Sequence, residues 1–493
     1  MRIIYSLLFP LFFNLIEIIY EKIFIVPRFL VNLVCVRGLS DQKAQTQVDA
    51  EHMFQTEQGF KDALTQCYVG LAGDYLYGKY MSYGPIETMA QHWDLQPSNW
   101  ENLYQLDFTL DNAREIFETI YAEMYNVIVH ANDVLRHLEK NGAVIESGQT
   151  RDVIEGEARA IRAFVHFDVL RLFGQMPFEP KRTVRLAYAE TVGKQEIPFL
   201  DFNSYVEKLL RDLDRAEALL AGNDPLLVKS LTASDEPGES EDVFLDYRRF
   251  RFNLYAVKAL KARVNLYLGR TEEAYRNALS VIQAKTKGGE EVISLSGSDD
   301  LEKGFYAMPS ESIMVLSKTN ISNTMFSMNS YYISSSRKTT LFEGALAGDI
   351  RIRTVWGSES NGFGGSVPLF RKFLQPSSGT GTTSKDLMLK YQVLPLLRLA
   401  EMYLIAMETA PSESEANRLY KDFMLSRQML VSRDLSLAAL RQEIEKQYRR
   451  ELFGEGQMFF YYKRRSASSM LWGRNSDLTE DNYIVPLPET ELE

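Results

Sequence analysis

From Asp111 to Lys140 the apolar side chains Phe117, Tyr121, Met124, Ile128, Ala131 and Leu135 return at alternating steps of four and three. A helix turning once every 3.6 residues places all six on one stripe, so the spacing predicts a long amphipathic helix. Asp111 is expected as its N-cap and Asn141-Gly142 as its stop. From Asp152 to Phe173, Ile154, Ala158, Ile161 and Val165 form a second stripe, ended by Gly174 and Pro177. Val206, Leu209, Leu213, Ala216 and Leu220 form a third, which Gly222-Asn223-Asp224-Pro225 closes. Tyr255, Ala259, Ala262 and Leu266 form a fourth; after Gly269 a further helix carries Ala274, Ala278 and Ile282. Leu399, Tyr403, Ala406 and Ala410 begin another pair.

Helix, tight glycine turn, helix, with small residues where backbones approach, resembles a tetratricopeptide unit. Several degenerate units of this kind predict an all-α fold, a superhelix of helix pairs that bury their faces against their neighbours. Three irregular stretches interrupt it, Tyr75 to Asn99, Ala221 to Tyr247 and Gly288 to Lys385. Loops of that length are uncommon in compact domains unless they have a function. The second, with its acidic run Asp235 to Asp242, is expected to be a solvated excursion, whereas the first and third are rich in Tyr, Trp and Phe.

Upstream of this body, Arg2 precedes the apolar run Ile3 to Ile16, and a second run, Ile23 to Val36, follows Glu17, Glu21 and Lys22. Both fall short of the ~20 apolar residues that a membrane-spanning helix needs. A secretory signal accounts better for them, so residues 1–35 are set aside as a targeting segment. Residues 36–493 are expected to form a single domain, with an N-terminal part over about 50–220 and a C-terminal part over about 250–493. Leu33-Val34-Cys35 looks like a lipoprotein cleavage site lacking its usual small residue. Either the true start lies downstream and Cys35 is acylated, or Cys35 is an apolar residue of a signal anchor. The other cysteine, Cys67, belongs to no zinc or redox spacing. A net charge of -11 argues against nucleic acid as a partner, because neutralising phosphates takes clustered Lys and Arg.

A search for nucleophile and base pairs, metal spacings and phosphate loops leaves nothing standing, which points away from an enzyme and from any cofactor or metal. The five histidines, His52, His92, His130, His137 and His166, are scattered, and His130 and His137 stand seven apart on one helix, too far for a metal face. Gly379 to Lys385 lacks the glycine before the lysine and a preceding strand, so a linker is the better reading. Carboxylates are too common among 66 acidic residues to single out a hydrolytic pair. Arg162, Arg398, Glu401, Arg450 and Glu451 read as paired charges of the scaffold. The candidate ligand-binding residues are the aromatic side chains of the loops: Tyr75, Tyr77, Tyr80, Tyr83, Trp93 and Trp100 in one stretch, Tyr331, Tyr332 and Trp356 in the other. Such rings offer large apolar faces to sugars or peptides, and a Tyr hydroxyl or Trp N–H binds the polar edge.

Four stretches together resemble the SusD/RagB family: Phe54 to Leu64, Gly156 to Phe173 with Gly174 and Pro177, Leu397 to Leu404, and Arg449 to Arg464. The ending Ile484-Val485-Pro486-Leu487-Pro488 is also similar to that family's close. The resemblance implies a helical body of tetratricopeptide-like pairs with a ligand held on the irregular insertions. It also implies a surface lipoprotein of the outer membrane, lipidated at Cys35, paired with a SusC-like TonB-dependent barrel. The expectation is a non-catalytic nutrient-binding protein that captures an oligosaccharide, or alternatively a peptide. The reading from a different class is a helical-repeat adaptor that binds another protein.

Overall fold

The computed structural model describes residues 52–94, 100–193, 196–238, 243–322, 333–345, 348–360, 366–376 and 382–491. Cys35 and the targeting segment, Tyr331, Tyr332 and Gly379 to Gly381 of the run before Lys385 lie outside them. Thr56–Glu493 forms one unit; Met1–Gln55 is another, of which residues 52–55 are described.

The fold is all-α in character, with helices placed where the apolar stripes fall. In chain order these are α1 (Glu57–Leu71), α2 (Pro85–Met89), α3 (Glu101–Gln105), α4 (Asp111–Asn141), α5 (Gly148–Phe173) and α6 (Phe202–Asn223). The six predicted stripe residues of α4 are all buried. Its N-cap is Leu110 and not Asp111, which sits one residue later, in the first turn, where its carboxylate favours the positive end of the helix dipole. Helix α5 begins before the predicted Asp152 because the Ser147 hydroxyl accepts the Thr150 N–H at 3.1 Å.

Helix α5 is the centre of the N-terminal half. Between α4 and α6, almost every residue from Gly156 onward is buried, the charged ones included. Those charges persist because each is paired, as a lone buried ion would be prohibitive. Arg162 clamps Asp212 of α6 with two hydrogen bonds of 2.7 and 2.6 Å and gives a third, 2.8 Å, to Asn132 of α4. Glu157 takes the Arg248 guanidinium at 2.6 Å.

The C-terminal half stacks helix pairs: α7 (Leu254–Tyr267) with α8 (Thr271–Ile282), then, after a short α9 (Ser335–Leu341), α10 (Leu399–Thr409) with α11 (Glu413–Ser426). Gly269 makes the first turn at φ +71°, in the left-handed region that a glycine adopts freely. Helices α12 (Leu437–Glu451) and α13 (Met458–Arg464) complete the described helices needed here.

The third irregular stretch is less irregular than its sequence suggests. Strand β1 (Ser312–Ser317) pairs antiparallel with β2 (Val393–Arg398), which runs straight into α10, and Trp356–Ser360 pairs with Ser366–Phe370 as a hairpin. Both strands of the first pair are short runs buried on both faces, so they carry no alternation to read. The acidic stretch is also only partly a solvated excursion. Asp235 is drawn in against Arg249 at 3.0 Å, and burial pushes its carboxyl above the usual range despite that arginine.

Where the two strands meet α12 lies a knot of buried charge. Glu451 accepts from Arg398 at 2.7 Å, from Arg351 at 2.9 Å and from Arg427 at 3.0 and 3.1 Å; Glu311 takes the other sides of Arg398 and Arg427. Burial alone would raise the Glu451 carboxyl, but Arg427, Arg398 and Arg351 together hold it well below the carboxylate range. Glu401 pairs with Arg263 at 2.6 Å, and Arg450 gives its guanidinium to the carbonyls of Leu341 and Glu343.

Candidate functional site

The loop from Ala72 to Gly84 is a chain of tight turns, with Tyr80 N–H bonded to Asp74 O at 2.9 Å and Gly84 N–H to Lys79 O at 2.9 Å. At Gly78 a Cβ would stand 2.3 Å from Ala72 O, so only glycine lets the loop fold back so closely. This coiling sends successive tyrosines to opposite sides. Tyr77 points inward, donating its hydroxyl to Asp168 at 2.6 Å, and Tyr83 is fully buried. Tyr75 points outward, 50% exposed, with the half-buried Tyr80 edge-on to it at 5.3 Å. Tyr80 in turn meets the edge of Trp100 at 6.2 Å, and the Lys79 ammonium lies 5.6 Å from the Trp100 ring centre. Desolvation lowers the Lys79 ammonium, opposed by Asp74, and raises the Tyr80 phenol.

Beneath this band lies a second, buried layer of rings. Trp93 donates its indole N–H to Tyr83 O at 2.9 Å and packs at 5.0 Å against Phe453, which also meets Trp356 at 4.9 Å. Trp93 and Trp356 are each 1% exposed. Of the nine aromatic residues singled out in the sequence, Tyr77, Tyr83, Trp93 and Trp356 thus form the floor under the site and present no open face. Trp100 is also buried, while Tyr75 and Tyr80 reach the surface.

The two aromatic stretches do come together. Arg337, at the start of α9, gives Nη1 to the carbonyls of Gln91, His92 and Trp93 at 2.8, 3.3 and 3.0 Å. Its Nε meets Asp94 at 2.6 Å, and the Ser334 N–H also donates to Asp94. This junction has a half-exposed tryptophan that sequence reasoning passed over, Trp472. The Arg337 guanidinium lies 5.2 Å from its ring centre, and its carbonyl accepts the Tyr104 hydroxyl at 3.2 Å. Arg474, bound to Glu101 at 2.6 Å, stands over the Tyr104 ring at 5.1 Å. Among the described residues the indole N–H of Trp472 has no partner. A tryptophan followed by Gly473-Arg474, in a segment with no apolar period, was the available signal; Arg337 had none.

The surface so built exposes Tyr75 and Arg474, with Tyr80, Trp472 and Arg337 partly exposed, over the buried rings of Trp100 and Tyr104. It offers ring faces and edges for apolar contact and the Arg474 guanidinium for polar edges, Arg337 being spent on backbone carbonyls, Asp94 and the Tyr104 hydroxyl; among the described residues no nucleophile paired with a base has been brought to it. His92, behind Trp472, spends its Nδ1 on Glu87 at 2.5 Å, and Glu87 in turn accepts the N–H groups of Gly454 and Gly456 at 2.8 and 3.0 Å. Among the described residues no group of three or more His, Cys, Asp or Glu side chains could hold a metal ion, and no helix is long and apolar enough to cross a membrane.

Residues 42–230 match the model of the SusD-like_3 family, described as starch-binding and associating with the outer membrane. The fold is similar to that of a SusD superfamily protein from Bacteroides thetaiotaomicron, at TM-score 0.64 and 19% identity over 89% of this chain and 97% of the other. A SusD-like carbohydrate-binding protein from Bacteroides vulgatus aligns at TM-score 0.59 and 15% identity over 83% and 84%. A laminarin-binding SusD-like protein aligns at TM-score 0.58 and 18% identity over 89% and 98%. No curated protein matches this chain in sequence.

Proposed function

We propose, from the premise that this chain belongs to the SusD/RagB family, that it captures oligosaccharides at the outer surface of the cell and passes them on without breaking a bond. The observation that carries this reading is the band of rings where the two loops join, with Tyr75 and Tyr80 at one end and Trp472 under Arg337 at the other. Pyranose rings present an apolar face and a hydroxyl edge, which suits a surface of aromatic faces rimmed by a guanidinium donor. The rings beneath are packed and buried, so selectivity rests on the shape of the band and a few hydrogen bonds. In this reading Cys35 carries the lipid that holds the protein to the outer membrane, and a SusC-like TonB-dependent barrel receives the ligand.

Binding of the purified protein to a panel of polysaccharides and peptides tests the central claim. The expected result is saturable binding to a glycan, weakened at least tenfold by Tyr75→Ala and by Trp472→Ala, with no reducing ends released. Binding to peptides alone, or glycan binding that both substitutions leave unchanged, overturns it. Incorporation of labelled fatty acid that Cys35→Ser abolishes tests the membrane attachment separately.

A further inference from the structure

A cavity of about 40 Å³ lies among α5, α7, α10, α12 and α13; its lining is mostly apolar, but several of the polar groups that reach it are incompletely partnered. Three side chains that line it each leave a buried polar atom without a partner, Arg263 Nη1, Tyr267 Oη and Tyr448 Oη. All three residues are more than nine-tenths buried. Orphaned buried donors are costly, roughly 1–3 kcal/mol each and more for a charged group, so three on one cavity call for an occupant.

The identity of the occupant follows from how the neighbouring charges are spent. Arg263 gives Nε and Nη2 to the two oxygens of Glu401, both at 2.6 Å, which turns Nη1 away from that carboxylate. Arg171, also on the wall, uses its Nε on Asp168 at 2.8 Å and its Nη1 on Gln457 Oε1 at 3.0 Å. Arg464, the third arginine there, gives Nη2 to Glu408 at 2.9 Å. The wall therefore carries three guanidinium groups and one carboxylate, with Asp168 and Glu408 behind it. The oxygens of Glu401 and Gln457 are already engaged by arginine N–H groups. What remains unengaged is a guanidinium edge and two phenols, all able to donate. Water fits by volume, since one molecule needs about 10–15 Å³, and is the rival occupant, because phenol and carboxylate oxygens can still accept from it; an anion differs in needing donors alone.

We propose that this cavity is a binding site for a small monovalent anion of halide size, held by Arg263 Nη1 and the hydroxyls of Tyr267 and Tyr448. The anion ties α7, which carries Arg263 and Tyr267, to α12, which carries Tyr448. It lies apart from the ring band and does not depend on the function proposed for that band.

Crystals of the full-length protein soaked in sodium bromide, with data collected at the bromine absorption edge, test the site directly. The expected result is an anomalous peak within hydrogen-bonding distance of Arg263 Nη1 and both hydroxyls. Tyr267→Phe and Tyr448→Phe remove one donor each while keeping the ring, and each is expected to lower the bromide occupancy at a fixed salt concentration at least threefold. Water density with no anomalous peak overturns the proposal, and so does a peak whose occupancy neither substitution changes.

Discussion

His166 shows how far burial can override the ordinary behaviour of a side chain. It is fully buried, stacked 3.9 Å from Tyr188, and desolvation lowers its imidazole from 6.5 to about 3, the hydrogen bond at Ala189 only partly opposing this. Above pH 6.5 the folded and unfolded chains both hold it neutral. As pH falls from 6.5 towards 3 the unfolded chain takes up a proton that the folded chain refuses, so stability falls, by at most about 1.4 kcal/mol per pH unit from this group. Denaturant melts between pH 7 and pH 5 are expected to show a shallower decline in His166→Gln than in the parent, whatever the starting stability of the variant. Glu451 is the contrasting case, a charge kept because three arginines need it. Glu451→Gln leaves Arg351, Arg398 and Arg427 sharing fewer carboxylates, and the expected loss is about 3–5 kcal/mol in equilibrium unfolding. At this scale the sequence was readable for pairing but not for partner. That Arg162, Arg398, Glu401 and Glu451 sit in packed elements follows from their apolar neighbours, whereas their carboxylate or arginine partners lie 24 to 138 residues away, from Arg427 and Glu451 to Arg263 and Glu401.

Among the elements, the helices were legible because a one-sided apolar stripe is a local property, and the strands were not because a run buried on both faces has no period. The same limit explains the aromatic loops. The sequence located the two stretches that meet at Arg337, but which rings of a coiled loop face inward depends on turns such as the one at Gly78. Trp93 and Trp356 therefore became floor, and Trp472 was overlooked. The turn between α12 and α13 is the element that joins scaffold to site. Its Gly454 and Gly456 stand at φ +76° and +67°, and both donate their N–H groups to Glu87 beside the ring band. A Cβ on Gly456 would lie 2.2 Å from Met81 O, in the loop that carries Tyr80. Gly456→Ala is expected to cost more than about 1 kcal/mol, read as a lower denaturation midpoint, and to weaken ligand binding without touching the ligand.

Across the whole unit Thr56–Glu493, the most distant parts of the sequence are the ones that close each other. Lys463 Nζ caps the end of α5 by donating to Gly174 O at 2.8 Å across 289 residues, and Val485 N–H donates to Leu172 O at 3.2 Å. Burial drives the Lys463 ammonium well below its usual range, with Arg182 adding to the effect and Glu480 opposing it. A fragment ending at Gly238 would expose the face of α5 that these residues cover. It is expected to keep helical far-UV dichroism but to lose near-UV signal and bind hydrophobic dyes, whereas the intact chain shows neither change. The strap from Tyr483 to Val485 sets the order of events in time. Residues made long after α5 are required to finish it, so α5 cannot reach its final packing when it first emerges from the ribosome. Final packing of α5 must wait until Tyr483 to Val485 have left the ribosome, and until then the early helices remain loosely packed.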